Sequence, residues 1–171
     1  WPYGGPATPL SQAVTRLRTA EVPVPANATS VAAPALQEGE SYLSAVIASP
    51  SRAVPVAAPF GRGRNAARPI AFDASTAQPL PFSGSTATVT ASGSPRVAVF
   101  FIQSHTKQEV KRAAVGAEGW VPDPYSHDAV ANHLKNVGEP LVKAFGATPP
   151  YAIFSDSLEA YGADRTPNLP T

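Results

Sequence analysis

The chain has 171 residues, a formal net charge of +1 and 15% charged residues. A balance so close to neutral predicts neither a nucleic-acid partner nor an acidic tail. Cysteine is absent, which excludes a disulfide framework, thiol catalysis and a cysteine-based zinc site. No apolar run approaches the roughly 20 residues that cross a bilayer, so no membrane partner is expected.

A proline- and glycine-rich loop, WPYGGP, opens the chain. Gly4 and Gly5 stand between two prolines, where they permit a sharp turn or a close approach of a ligand to the backbone. A cap at Thr8 or Ser11 then predicts a short helix that runs to Leu17.

Short runs of Val, Ile, Ala and Thr alternate with Pro, Gly, Asn and Ser from Glu21 to Pro95. Proline fixes φ and removes a backbone donor, so the 20 prolines of the chain favour short strands and extended turns over helix. Short strands with frequent turns predict a small antiparallel β-sandwich. The candidate strands are Ser41–Ala48, Arg52–Ala57, Ile70–Phe72 and Ser85–Thr90.

The rest of the chain alternates strand and helix patterns. Arg96–Gln103, with the sequence RVAVFFIQ, is nearly all apolar and predicts a strand buried on both faces. A helix is expected over Ser126–Phe145, with a break near Gly138. Tyr151–Phe154 predicts a second buried strand. The order strand, helix, strand is typical of a parallel sheet or barrel.

Two acids that follow the last predicted strand are the strongest candidates for chemistry. Asp156 and Glu159 come just after it, and functional groups in parallel α/β folds gather at the C-terminal ends of strands. Their spacing would place both carboxylates on one face of a helix. The same spacing also matches a helix-capping pair, and the pattern alone favours neither interpretation.

A second candidate is Glu118, which stands between Gly116 and Gly119 and close to Trp120. Glycines around a lone acid predict a tight loop with little room for side chains. Trp120 could offer a ring face to a sugar, because the C–H faces of pyranoses pack on aromatic rings. The alternative is a surface turn whose tryptophan fills the core.

Several other kinds of site are not predicted. His105, His127 and His133 have no metal-ligand spacing. The chain has no G-x-S-x-G, phosphate-binding or H-E-x-x-H motif, so serine hydrolase, nucleotide-binding and zinc protease functions have little support.

Three segments, in this order, resemble the α-L-rhamnosidases of glycoside hydrolase family 106. The first resembles the family's Gly-Gly-Pro loop, the second its Lys-Arg stretch with Gly-Ala-Glu-Gly, and the third its Asp-Ser-Leu-Glu strand end. Three ordered matches are more specific than any one of them. The segments are WPYGGPATPLSQAVTRLRTAEV (1–22), VKRAAVGAEGWVPDPYSHDAVANHL (110–134) and PPYAIFSDSLEAYGADRTPNL (149–169).

The resemblance implies a (β/α)8-barrel enzyme that removes terminal α-L-rhamnose from glycans or glycosides with inversion. Inversion requires a general acid and a general base roughly 6.5–9.5 Å apart. Glu159 matches the general acid and Asp156 an acidic partner, while the other catalytic carboxylate is expected beyond Thr171. The implied substrate contacts are Glu118, Trp120, Tyr3, Gly4 and Gly5.

The resemblance also implies a calcium ion at the sugar hydroxyls, a bacterial source and a periplasmic or secreted location. The ligands of that calcium ion are not assigned. Arg165 departs from the family pattern, which usually has Trp at this position.

The expected fold class is therefore α/β with an all-β insertion, made of partial (β/α)8-barrel segments and a small antiparallel β-sandwich-like region. Residues 1–20 would form a barrel loop and short helix, 21–95 the insertion, and 96–171 a βαβ segment with an acidic active-site loop. Such a fragment of a larger enzyme is expected to be inactive by itself. The alternative is a non-catalytic carbohydrate-binding or structural β module.

Overall fold

The computed structural model of the chain describes residues 8–51, 71–113, 115–154 and 159–167. These residues form two antiparallel sheets and one helix of 18 residues. The chain divides into two compact units. The central unit is Arg18–Ile102, and the flanking unit consists of Trp1–Leu17 together with Gln103–Thr171.

The described strands fall into two sheets. One sheet has the strand order β1-β7-β3-β4 and the other the order β2-β6-β5. Val31 pairs with Ala87 between β2 and β6, and Val46 pairs with Pro79 between β3 and β4. The strands are β1 (Thr15–Val24), β2 (Ser30–Ala32), β3 (Ser41–Ala48), β4 (Gln78–Pro79), β5 (Phe82–Ser83), β6 (Thr86–Thr88) and β7 (Arg96–His105).

The core of the central unit receives buried side chains from both sheets. Phe100 is fully buried and lies 5.5 Å from Phe82 and 6.1 Å from Tyr42, measured between ring centroids. Tyr42 and Phe82 meet edge to face at 5.1 Å, the arrangement that the ring quadrupoles favour. This aromatic cluster explains how a region of short strands and many prolines can bury a common core.

Strand β7 confirms the clearest prediction from the sequence. It covers Arg96–His105 and is buried over most of its length, because its apolar run supplies side chains to both faces of the sheet. The expectation of short strands between Glu21 and Pro95 is also confirmed in the described part of that stretch, which contains no α-helix. The predicted strand Arg52–Ala57 lies outside the described residues.

The short helix predicted to end at Leu17 is absent. A single 3-10 turn covers Leu10–Gln12, and β1 begins at Thr15. Pro9 and Ala13 at the two ends of the turn are both extended. Buried Val14 and Thr15 are therefore part of an extended segment, so the apolar residues here follow strand packing and not a helical stripe.

The predicted helix is present and continuous. It comprises α1 (His127–His133), a π-helical turn (Leu134–Gly138) and α2 (Glu139–Ala144). The hydroxyl of Ser126 caps it by accepting a hydrogen bond from the backbone N–H of Ala129. A π-helical turn, in which the N–H of Glu139 donates to the carbonyl of Leu134, stands where the sequence predicted a break.

The prediction of partial (β/α)8-barrel segments is wrong. The two sheets are antiparallel, whereas a barrel of this kind requires parallel strands. Tyr151–Phe154 is not a strand, and the side chains of Tyr151, Ile153 and Phe154 are exposed. A four-residue apolar run can form a buried strand only where a neighbouring strand pairs with it, and no described strand does so here.

Candidate functional site

Glu159 lies in an exposed polar cluster of the flanking unit, together with Lys111 and Tyr161. Its Oε2 atom is 3.5 Å from the Nζ atom of Lys111, and its Oε1 atom is 3.3 Å from the hydroxyl of Tyr161. The Glu159 and Lys111 side chains are each 58% exposed. An exposed carboxylate beside a cation and a phenol can reach the hydroxyl groups of a polar ligand.

The side chain of Gln108 connects this cluster to the rest of the flanking unit. Its amide nitrogen donates to the backbone carbonyl of Glu159, and its amide oxygen accepts from the backbone N–H of Tyr161 at 2.8 Å. The backbone of Gln108 in turn accepts a hydrogen bond from Val121 at 3.0 Å. The Gln108 side chain therefore orients the backbone on both sides of Ala160. It also connects that backbone to the stretch in which Gln108 is hydrogen-bonded to Val121.

Lys111 contacts Tyr161 in two ways. Its ammonium lies 4.6 Å from the centre of the tyrosine ring and 3.2 Å from the hydroxyl oxygen. The pKa of Lys111 is raised, mainly by the hydrogen bond to Tyr161 and further by the nearby charge of Glu159. The cluster thus keeps a positive charge next to the carboxylate at neutral pH.

Glu118 follows a turn at Val115 and Gly116, so the predicted loop is present. The expected lack of room is not found at Gly116, where a Cβ atom would meet no other atom within 4 Å. Gly116 has φ +81°, a left-handed conformation that favours glycine, and its N–H donates to Oε2 of Glu118 at 2.8 Å. The carboxylate is exposed and holds its own turn. In the part of the chain that the structure describes, no hydrogen bond or ion pair joins Glu118 to Glu159.

Trp120 is half-buried and pairs with Glu109 in an isolated antiparallel bridge. The hydrogen bonds from Val110 N–H to the carbonyl of Gly119 and from Val121 N–H to the carbonyl of Gln108 extend this pairing. The pairing brings the glycine-rich turn onto the same stretch of chain as Gln108 and Lys111. Glu118 and Glu159 are therefore carried by connected segments of one unit.

Four of the residues assigned to the site, Asp156, Tyr3, Gly4 and Gly5, lie outside the described residues. Their assignment stays a prediction.

The calcium ion that the resemblance implies stays a prediction. The described residues contain no group of three or more His, Asp or Glu side chains that could hold a metal. Lys111 also places an ammonium 3.5 Å from the Glu159 carboxylate, where it would oppose a bound cation.

A buried acid was missed by the sequence analysis. Asp123 is 1% exposed, and its carboxylate accepts from the backbone N–H of Tyr125 at 3.0 Å and lies 3.3 Å from the hydroxyl of Thr15. The signal that could have identified it is its position between Pro122 and Pro124, where a short polar side chain can satisfy nearby backbone donors. Its carboxylate thus links Thr15 to the backbone of Tyr125 within the flanking unit.

A small cleft also lies in the flanking unit. Its volume is about 190 Å³, and it is lined by Tyr125, Ala163, Asp164 and Arg165. Oδ1 of Asp164 accepts from the backbone N–H of Leu17 at 2.6 Å. Nε of Arg165 donates to the side-chain oxygen of Gln103 at 3.2 Å. Both charged side chains are thus fixed by one contact each.

No protein-family model matches the chain, and no match was found among curated proteins or solved structures. Within the described residues, no helix is both long and apolar enough to cross a membrane.

Proposed function

We propose that this chain forms part of a glycoside hydrolase that removes terminal α-L-rhamnose from glycans or glycosides with inversion, and that the chain by itself is inactive. The supporting observation is that described residues of all three segments contact one another within one compact unit, the flanking unit. The end of the first segment, residues 18–22, belongs to the central unit. The proposal does not depend on a (β/α)8-barrel fold.

The first and second segments are joined along their backbones. Ala13 and Pro122 form an antiparallel bridge, and the N–H of Asp123 donates to the carbonyl of Gln12 at 2.8 Å. The side chain of Asn132 donates to that of Gln12 at 2.9 Å. Segments more than 100 residues apart in sequence are therefore packed through specific polar contacts.

The third segment joins both of the others. Thr15 and Arg165 form an antiparallel bridge, and Asp164 accepts from the N–H of Leu17. Lys111 of the second segment contacts Glu159 of the third. Segments that contribute to one active site must be brought together in this way, which supports the proposal.

In the proposed reaction, Glu159 protonates the glycosidic oxygen as the bond to the anomeric carbon breaks. Water attacks that carbon from the opposite face while a second carboxylate takes its proton. That second carboxylate would come from outside this chain, so the chain alone lacks the general base. Gln108 would position Glu159 through its backbone.

The test is hydrolysis of p-nitrophenyl α-L-rhamnoside by the full-length parent protein and by this chain. The parent should release p-nitrophenol and the chain should not. Glu159→Gln in the parent should lower the rate, whereas Glu38→Gln, at an exposed glutamate of the central unit, should not. A parent that binds rhamnosides without turnover would refute the proposal.

The β-rich architecture supports a second candidate, a non-catalytic carbohydrate-binding or structural β module. The observation that favours this second candidate is that two antiparallel sheets share one core in the central unit. This candidate predicts sugar binding, or a purely structural role, with no release of p-nitrophenol by either protein. The same assay therefore separates the two candidates.

A further inference from the structure

The cleft between Tyr125 and Arg165 has the composition of a sugar subsite. Tyr125 lines the cleft and is 62% exposed, so its ring is accessible to a ligand. Aromatic rings of this kind pack against the C–H faces of pyranoses. The cleft volume of about 190 Å³ lies below the roughly 300 Å³ at which drug-sized sites begin, so it suits a single ring.

The two charged side chains of the cleft are held in place and keep polar atoms for a ligand. Asp164 uses Oδ1 for Leu17, and Arg165 uses Nε for Gln103. Within the described part of the chain, Oδ2 of Asp164 and the terminal nitrogens of Arg165 have no hydrogen-bond partner. A carboxylate acceptor and a guanidinium donor side by side can bind two adjacent hydroxyl groups.

The charges of the cleft favour a neutral ligand. Arg165 alone would attract a carboxylate, but Asp164 brings a negative charge to the same small space. An anionic sugar would lie next to that charge and be repelled.

We infer that this cleft binds one neutral pyranose, with its ring on Tyr125 and two adjacent hydroxyls on Asp164 and Arg165. The site is distinct from the Glu159 cluster, which is built on Gln108 and Lys111. The inference rests on the proposed function for the choice of a rhamnoside as ligand. It adds a positioning contact that holds a sugar unit of the substrate and takes no part in bond cleavage.

The first experiment measures binding of methyl α-L-rhamnoside to this chain by saturation-transfer NMR. Binding should be seen with the native chain and should weaken about tenfold in Tyr125→Ala, the scale of one lost ring contact. Tyr151→Ala is the matched control, since Tyr151 is exposed and lies outside the cleft. Equal affinities of the native chain and Tyr125→Ala, or no binding at all, would overturn the inference.

The ligand class has its own test. Galacturonate should bind more weakly than the rhamnoside, and tighter binding of galacturonate would overturn the assignment of a neutral sugar. In the full-length parent, Tyr125→Ala should raise KM about tenfold with little change in kcat, while Glu159→Gln lowers kcat. A parent without rhamnosidase activity refutes the proposed function even if this chain binds the sugar. An active parent with an unchanged KM in Tyr125→Ala refutes only the cleft.

Discussion

The guanidinium of Arg18 holds the carboxylate of Glu40 at two points, with Nε 2.8 Å from Oε1 and Nη2 2.6 Å from Oε2. Glu40 has only 2% of its side chain exposed, and the N–H of Gln37 donates to it at 2.8 Å. The pKa of Arg18 is raised, chiefly by this hydrogen-bonded contact. The pair ties the start of the central unit to the turn that precedes β3.

Arg18→Met should therefore destabilise the protein by about 2–3 kcal/mol. Removing one partner of a fully buried ion pair leaves a buried charge without compensation, which costs roughly 3–5 kcal/mol. The expected loss is smaller here because the Arg18 side chain is 25% exposed. Urea unfolding measures the change. Arg16→Met, at an exposed position of the same strand, should change the stability by no more than about 0.5 kcal/mol. Equal effects of the two substitutions would contradict this account.

Phe100→Ala should lower the free energy of unfolding by about 3–5 kcal/mol, because it removes the central ring of the aromatic cluster and leaves a cavity. Phe145→Ala provides the comparison, since that ring is 46% exposed. Thermal or urea unfolding should show a clearly smaller loss for Phe145→Ala. A Phe100→Ala variant as stable as the native protein would mean that the central core is not packed as described.

His133 should make the stability depend on pH. Burial lowers its pKa from the ordinary value of 6.5, so the unfolded chain takes up the proton at a higher pH than the folded chain. The free energy of unfolding should therefore decrease as the pH falls below about 6.5, because protons then bind the unfolded chain more readily than the folded chain. Comparing urea unfolding of the native protein and His133→Asn at pH 8 and pH 5 tests this, because the pH 8 data isolate the effect of substitution alone. An identical pH dependence in both would exclude His133 as the cause.

Glu159→Gln in the full-length parent should lower the hydrolysis rate of an unactivated rhamnoside by about 10²–10⁴-fold. Glutamine keeps the shape of the side chain but cannot donate the proton to the leaving oxygen. The loss should be smaller for p-nitrophenyl rhamnoside, whose leaving group needs less protonation. Near-normal turnover of the unactivated substrate would remove Glu159 from the acid role and direct attention to Asp156.

Part of the candidate site could be read from the sequence. The turn before Glu118 was predicted from Gly116, whose left-handed backbone only glycine adopts at little cost. The contacts of Glu159 with Lys111 and Tyr161 were not predicted, because they join residues about 50 positions apart. Sequence spacing carries no information on such pairs unless the fold is known.

Local patterns determined β7 and the helix after Ser126. A nearly continuous apolar run forms a buried strand wherever neighbours are available, and a serine cap with helical spacing starts a helix from local interactions. Tertiary structure alone decided how these elements pair. Strand, helix and strand patterns do not specify a parallel sheet, because strand direction depends on long-range hydrogen bonds between distant segments. For the same reason Tyr151–Phe154, apolar but unpaired, is exposed, and Asp123 is buried because Thr15 and the chain around Gln12 close over it.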